Sequence, residues 1–357
     1  MRTNSHHQVW TFAMLVVFLL GQSCSKSVEE GTPLANIGID PKSGDGDRCA
    51  RGVHIGCGSM LRFDDAEHFQ EVYDCLELAY EAYNDSVDQL YGSLADEAYN
   101  DLLDSIGFID EQPLVDFEQN FSGYYSYFQH MKAQHDAWLL AGADPATDPD
   151  ASNVVGDLFM EVLLNRYAAV MIGGVIHMTL PNGDQVEILN GDCDVYNCFA
   201  INPGCQIGGT NVVIHKGNYS GDCRDNAEER GWQYWDSGKK RIKWRLKFKY
   251  SQFFDHHRTF AEVKSLRKKN GKWRDYRSDI GIVVNGPHNG GSEAIGRSSI
   301  NCEFAQGYDM IKAVKRRKYR SKFYWFPQPQ IYYQIRIADV RGNFTYGGTV
   351  HSHDLGW

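Results

Sequence analysis

The chain has 357 residues, of which 42% are hydrophobic and 23% charged, with a net charge of −10. That composition is globular, with room for one large domain or two ordinary ones, and it excludes a disordered or low-complexity chain. Beyond the first two dozen residues no stretch is apolar for long enough to span a bilayer, which excludes a chain of several membrane helices.

Residues 1–23 read as an export signal. Arg2, His6 and His7 make a weakly basic start, and Val9 to Leu20 is an apolar run of about a dozen residues, too short for a membrane span. The run ends in Leu20-Gly-Gln-Ser-Cys24. Small residues before a cysteine resemble a bacterial lipoprotein signal, although Gly21 stands where an apolar residue is usual. Cys24 is therefore the expected lipidated residue, and the alternative is an ordinary cleaved signal with an incidental cysteine. Residues 24–58 read as a flexible tether, with Gly31, Pro33, Pro41 and the Ser43-Gly-Asp-Gly-Asp47 run and no apolar period. The expected location is the outer membrane or cell surface, with the N-terminal lipid as the membrane contact.

Residues 59–165 read as an acidic helical region. Met60 to Phe63 is a short extended stretch. Asp64 is the expected cap of a first helix, with Glu67 completing a capping box and Phe69, Val72, Leu76, Tyr80 and Tyr83 on one face. A second helix is expected over 85–105, broken by Ile106-Gly-Phe108 and Pro113, and a third over 124–140. Ala143 to Asp150 is a loop, followed by a short helix over 153–165. The stretch Asp157 to Ile188 is the hinge of the chain, because helical spacing gives way there to strand spacing. Tyr167 to Ile172, Val175 to Leu180 and Gln185 to Ile188 are β-rich runs, separated by Gly173-Gly174 and Pro181-Asn-Gly-Asp184.

Residues 166–357 read as a disulfide-containing β-domain with a basic surface. Over Lys240 to Tyr250 the alternation puts Ile242, Trp244, Leu246, Phe248 and Tyr250 on an inner face and Arg241, Lys243, Arg245, Lys247 and Lys249 on a cationic outer face. Further strands are expected over 259–266, 273–284, 322–326, 331–340 and 344–350. Turns are expected at Lys269-Asn-Gly-Lys272 and Arg341-Gly-Asn343. The fold class is α+β: an N-terminal helical region followed by an antiparallel β-sandwich or barrel-like domain.

Of the nine cysteines, Cys24 belongs to the signal. The others, Cys49, Cys57, Cys75, Cys193, Cys198, Cys205, Cys223 and Cys302, are an even set in an exported chain and so are disulfide candidates. The tight Cys-x2-Cys pairs of structural zinc sites are absent from the sequence, and spacing leaves the pairing open.

The charge is unevenly spread. Residues 25–165 hold roughly 28 acidic residues against 6 basic, and residues 239–322 roughly 23 basic against 7 acidic. Three readings compete. The acidic helices dock on the basic sheet, or the basic face binds an acidic glycan or another anionic envelope ligand, or it binds nucleic acid. Nucleic acid is not expected for an exported, tethered chain. Lys243, Arg245 and Lys247, with the dense run Lys315, Arg316, Arg317, Lys318 and Arg320, are the candidate ligand-binding residues.

His351 and His353, beside Asp354, have the period-two spacing of a metal pair on a strand and are the candidate metal ligands. Asp192-Cys-Asp-Val-Tyr-Asn197 has calcium-like spacing but lacks the central glycine and closing glutamate, so it reads as a turn. His288-Asn-Gly-Gly-Ser292 lacks a nucleophile elbow and reads as a loop. No cofactor is expected.

Several of these segments together carry a resemblance. Phe63-Asp-Asp-Ala-Glu-His-Phe69, Phe117-Glu followed by Phe121-Ser-Gly-Tyr124, Trp138-Leu139, Asp148-Pro149 and Leu163-Leu-Asn165 stand in order. Val170 to Ile176, Arg241 to Tyr250 and Lys268-Lys-Asn-Gly-Lys-Trp-Arg274 follow. The chain resembles a family of secreted lipoproteins of unknown function from Bacteroidetes, in which a helical N-terminal region precedes a β-domain. The resemblance implies an address and an architecture, and no reaction. The expected function is non-catalytic binding of an acidic glycan or other anionic envelope ligand. The alternatives are an envelope hydrolase with metal near the C-terminus and an assembly partner of another envelope protein.

Overall fold

The computed structural model describes residues 46–205, 211–215, 227–251, 256–285, 309–316, 318–325, 339–346 and 349–356. The expected signal segment and Cys24, the expected tether up to residue 45, His288 to Ser292, Cys223, Cys302 and Arg317 lie outside the described residues, as does most of the strand expected over 331–340.

Two strands that lie side by side are separated along the chain by the whole helical region. After a one-turn helix α1 (Gly46–Cys49), β1 (His54–Gly56) and β2 (Met60–Phe63) form an antiparallel pair. The helices α2 (Ala66–Tyr91), α3 (Asp96–Ser105), α4 (Gln112–Gln119), α5 (Tyr127–Leu140) and α6 (Leu158–Leu163) follow. The chain then returns as β3 (Ala169–Ile172), which pairs parallel with β2, Arg62 opposite Met171 and Phe63 opposite Ile172. A parallel pair cannot be closed by a tight turn and needs a crossover, and here the helices are that crossover. The boundary drawn at residue 165 therefore falls inside one structural unit.

The sheet is extended by β4 (Val175–Thr179) and β5 (Gln185–Ile188). Helix α7 (Cys193–Ile201) follows, and β6 (Val212–His215) completes the order β1-β2-β3-β4-β5-β6. Strand alternation sorts the core into two layers. Leu61, Phe63, Val170 and Ile172 pack with Phe69, Leu76, Phe117, Phe128 and Phe159 of the helices. Met60, Ala169, Met171, Ile176, Met178, Val186 and Ile188 point the other way and pack with Tyr196 and Phe199 of α7. Gly173 and Gly174, at φ 58° and 81°, make the left-handed two-residue turn of the β3–β4 hairpin, a conformation that costs a glycine least.

Helix ends differ from the sequence expectation for identifiable reasons. The cap of α2 is Asp65, whose carboxylate accepts from the His68 N–H at 2.8 Å, while the Asp64 N–H donates to His68 Nδ1. Helix α2 continues through residue 85 because Val87 prolongs the face of Phe69, Val72, Leu76 and Tyr80, and it stops at Gly92. Pro113 does not break a helix; it stands in the first turn of α4, where a missing N–H costs nothing. Asp192 caps α7 by accepting from the N–H groups of Asp194 and Val195, so the calcium-like spacing is a helix cap.

The remaining strands are β7 (Ala227–Trp235), β8 (Lys240–Ser251), β9 (His256–Lys269), β10 (Lys272–Asp275), β11 (Ser278–Asn285), β12 (Asp309–Arg316), β13 (Lys318–Trp325), β14 (Asp339–Tyr346) and β15 (Thr349–Gly356). The second sheet runs β10-β9-β8-β7, with β13 also paired to the long β9, and the third runs β12-β11-β14-β15. Strand β11 lies against β9, β14 against β8 and β15 against β7. The class is α+β with open, largely antiparallel sheets, not a closed barrel. Asn270 and Gly271, at φ 53° and 78°, close the β9–β10 hairpin at the Asn-Gly expected there. The run expected over 273–284 is cut at Tyr276-Arg277, where the chain leaves the second sheet for the third. Arg341-Gly-Asn343 is not a turn; it is paired along β14 with Val283, Val284 and Asn285.

The C-terminal part of the tether expected over 24–58 is not a tether. Cys49 of α1 is bonded to Cys75 of α2, and Cys57 of the β1–β2 turn to Cys193 of α7. Residues 46–58 are therefore part of the fold. Cys198–Cys205 is the third disulfide among the described residues, with Cα atoms 5.9 Å apart. Among the described residues no helix is long and apolar enough to cross a membrane.

A candidate binding cleft at the helix-to-strand junction

The crossover returns to the sheet through one buried asparagine. Asn165, 1% exposed, donates from its side-chain amide to the Tyr196 hydroxyl at 2.7 Å. Its side-chain oxygen accepts from the N–H groups of Tyr167 and Ala169 at 3.1 and 3.2 Å. The Ala168 N–H returns to the Asn165 carbonyl at 2.7 Å, closing a four-residue turn. Arg166 and Tyr167 are the two corner residues of that turn; Arg166 is exposed, while Tyr167 is half-buried and packs edge-on against Tyr196. The Arg166 N–H donates to the Tyr125 carbonyl and the Tyr127 N–H to the Leu164 carbonyl, which ties the corner to the start of α5.

At this corner the Arg166 guanidinium lies 4.6 Å from the centroid of the Tyr167 ring and donates to the Tyr167 hydroxyl at 2.6 Å. The pair borders a cleft of about 260 Å³. Tyr127, Met131 and Gln134 line it from α5, Met178 and Thr179 from β4, and Phe199 and Pro203 from α7 and the turn after it. No Asp or Glu is among the described lining residues, and Arg166 is the one lysine or arginine among them. The floor is aromatic and aliphatic, and the rim carries a fixed cation with neutral donors and acceptors. The Ser152 hydroxyl donates to the Pro149 carbonyl, and the imidazole of His130 is 2.7 Å from the Gln134 amide. Burial pushes the Tyr127 hydroxyl up to about 12, with the Glu161 and Asp150 carboxylates adding to it, so the phenol stays neutral. These groups suit holding a ligand. Among the described lining residues none is a carboxylate or a thiol placed for general-base or nucleophilic chemistry.

The cationic face expected over residues 240–250 is covered where its side chains are described. Arg241, Lys243 and Arg245 are 2%, 3% and 3% exposed. Lys243 Nζ is 2.6 Å from Asp148 Oδ2 and also pairs with Asp150. The Arg241 guanidinium donates to the Ala143 carbonyl at 2.7 Å and lies 4.0 Å from the centroid of Trp273, with Trp232 and Trp138 at 4.5 and 5.3 Å. Lys264 Nζ meets His135 at 2.7 Å and Asp275 at 3.2 Å. Desolvation and the Lys264 charge lower the His135 pKa, which keeps the ring neutral between its two partners. Arg277, fully buried, receives Asp88, Asp110 and Asn84 from the α2–α3 side. Lys243 and Arg245 are thus corrected from an exposed ligand face to an internal interface. The reason is that charge is buried only when paired, and the helical side supplies the acids.

The other candidates are placed by strand register. Lys247 is on β8 opposite Phe260. Lys315 and Arg316 are on β12 opposite Asp279 and Ser278, and Lys318 and Arg320 on β13 opposite Lys264 and Glu262. His351 and His353 are on β15, opposite Phe344 and Gly342 of β14. Among the described residues no group of three His, Cys, Asp or Glu side chains is arranged to hold a metal ion.

No family model matches the chain, and no curated protein matches it. Among solved structures the chain is similar to the crystal structure of a DUF4848 family protein from Bacteroides thetaiotaomicron. The identity is 12% and the TM-score 0.18, with 85% of this chain and 98% of that one covered. At this TM-score nothing about origin, fold or function is carried across.

Sequence reasoning placed the hinge of the chain correctly but missed the cleft built on it. One signal was present. Asn165-Arg-Tyr167 is a polar and aromatic interruption between apolar Leu164 and Ala168, where a strand would be expected to start directly.

Proposed function

We propose that the chain is a lipid-anchored protein of the bacterial cell envelope whose cleft binds an acidic glycan without cleaving it. One observation carries the reading. The Arg166 guanidinium is held 4.6 Å from the centroid of the Tyr167 ring, at a cleft whose described lining has no acidic side chain. A guanidinium takes a carboxylate or sulfate in a forked pair, and aromatic rings beside it take the apolar face of a sugar. The basic strands contribute less to this reading than their sequence promised, since Arg241, Lys243 and Arg245 are engaged within the fold. Anchoring at Cys24 would hold the cleft at a membrane surface, with the segment before residue 46 as spacer.

The test is titration of the full chain in detergent with oligogalacturonate and with its methyl ester, at low and high salt. Binding of the acid form, weakened by salt and lost in Arg166→Ala while kept in part by Arg166→Lys, supports the reading. Equal binding of the two forms, or an affinity indifferent to Arg166, removes it. Incorporation of labelled fatty acid that disappears in Cys24→Ala tests the anchor separately.

A further inference from the structure

We propose that the Cys198–Cys205 disulfide is a redox-operated wall of the cleft, closed when oxidised and opened when a dithiol reduces it. The inference rests on the same cleft as the reading above but not on the identity of its ligand.

The bridge spans seven residues, and within that short loop lie Phe199, Ala200 and Pro203, all of which line the cleft. The two ends of α7 are held differently. Its start is fixed by the Cys57–Cys193 bond and the Asp192 cap, and its middle by Tyr196 on Asn165. Phe199 is 2% exposed and Ala200 still packs on the same core, but Ile201 is 83% exposed. Asn202 leaves helical geometry, and a turn brings the Cys205 N–H back to the Asn202 carbonyl at 2.8 Å. Cys205 is the next residue inside the core, at 8% exposed. Ile201 to Gly204 thus bridge from one core contact to the next, and the disulfide spans that bridge.

Cutting it leaves Phe199 seated by its own burial and frees the segment with Pro203. None of the four cysteines of the other two disulfides lines the cleft, and the sheet and helical core keep those cross-links. The exchange is balanced. A dithiol donates two electrons and two protons, Cys198 and Cys205 become thiols, and the dithiol leaves as its own disulfide.

Hydrogen exchange of the full chain, read by mass spectrometry, tests this without any ligand. In Cys198→Ser/Cys205→Ser, and in the wild-type chain after mild reduction, amides of residues 199–205 should exchange faster by on the order of tenfold. Amides of α6 and β3 should be unchanged, and reoxidation should restore the wild-type pattern. Unchanged exchange over 199–205 overturns the proposal. So does faster exchange throughout α6 and β3, which would make the bridge a part of the global fold. Oligogalacturonate affinity is then measured on the oxidised and the open forms. Failure of both forms to bind counts against the proposed ligand and leaves the exchange result standing.

Discussion

Lys243 of the second sheet and Asp148 of the turn after α5 meet at 2.6 Å with side chains only 3% and 4% exposed. Lys132 is the one lysine or arginine between Asp64 and Asn165, so this acidic stretch draws its neutralising cations from strands far along the chain. The same exchange recurs at Arg267–Glu97, Lys269–Asp101 and Arg277–Asp88. The two at the rim are exposed and contribute little, whereas Lys243 is enclosed. Lys243→Met would leave Asp148 and Asp150 facing an apolar side chain and should cost ~3–5 kcal/mol of stability in urea unfolding. Lys243→Met combined with Asp148→Leu and Asp150→Leu should recover most of that loss. A single variant as stable as wild type would show that the pair is solvated.

Asn165 should behave as a positioning residue for the cleft. Its side chain holds Tyr196, Tyr167 and Ala169 together, and a residue without the amide leaves those groups unmatched in a buried site. Asn165→Ala is expected to cost roughly 2–4 kcal/mol, and Tyr196→Phe, which removes one partner, about 1 kcal/mol. Ligand binding separates position from stability. At a temperature where both variants are folded, Asn165→Ala should weaken binding at Arg166 and Tyr196→Phe should not. Equal affinity in both would place the control of the Arg166–Tyr167 corner elsewhere.

What the sequence made legible follows from what is local. Strand β5 begins and ends where period-two spacing sets it, and Asn270-Gly271 turns where its left-handed preference predicts. The extent of the helical face from Phe69 to Tyr80 was equally readable. Three things were not local. The parallel pairing of β2 with β3 joins residues that no periodicity connects, so a crossover looked like a domain. Pro113 has opposite meanings at a helix start and in its interior, and only the chain path decides which applies. The cationic side of β8 is indistinguishable in sequence from a solvated face, because what covers it is Asp148, Asp150 and three tryptophans from elsewhere.

The disulfides should rank by the loop each one closes. Cys57–Cys193 spans 136 residues, Cys49–Cys75 spans 26 and Cys198–Cys205 spans 7. Loop-closure entropy gives roughly 5, 3–4 and 2–3 kcal/mol in that order. Replacing each pair by alanine and measuring urea midpoints should reproduce the order. The largest loss should fall on the bond that ties the β1–β2 turn to α7. A greater loss from the Cys198–Cys205 pair would mean that strain or packing, and not chain entropy, sets the contributions.

Glu118 should give the fold a pH dependence opposite to that of an ordinary paired carboxylate. It is 3% exposed on α4, with the Gln129 amide donating to it and Ser126 beside it. Burial pushes its pKa up from 4.5 to about 7, against the lowering effect of the Ser126 and Gln129 hydrogen bonds. The folded state therefore holds this proton more tightly than the unfolded chain does. The resulting stabilisation is fully present below the unfolded pKa of 4.5 and is lost as pH rises through about 7. Its size is on the order of 3 kcal/mol, since each pKa unit corresponds to ~1.4 kcal/mol. Glu118→Gln keeps an oxygen for the Gln129 amide and removes the titration. Unfolding free energies of wild type and Glu118→Gln should run together below pH 4.5 and separate through neutrality, the glutamine variant becoming the more stable. Parallel curves across that window would mean that Glu118 is solvated and titrates normally.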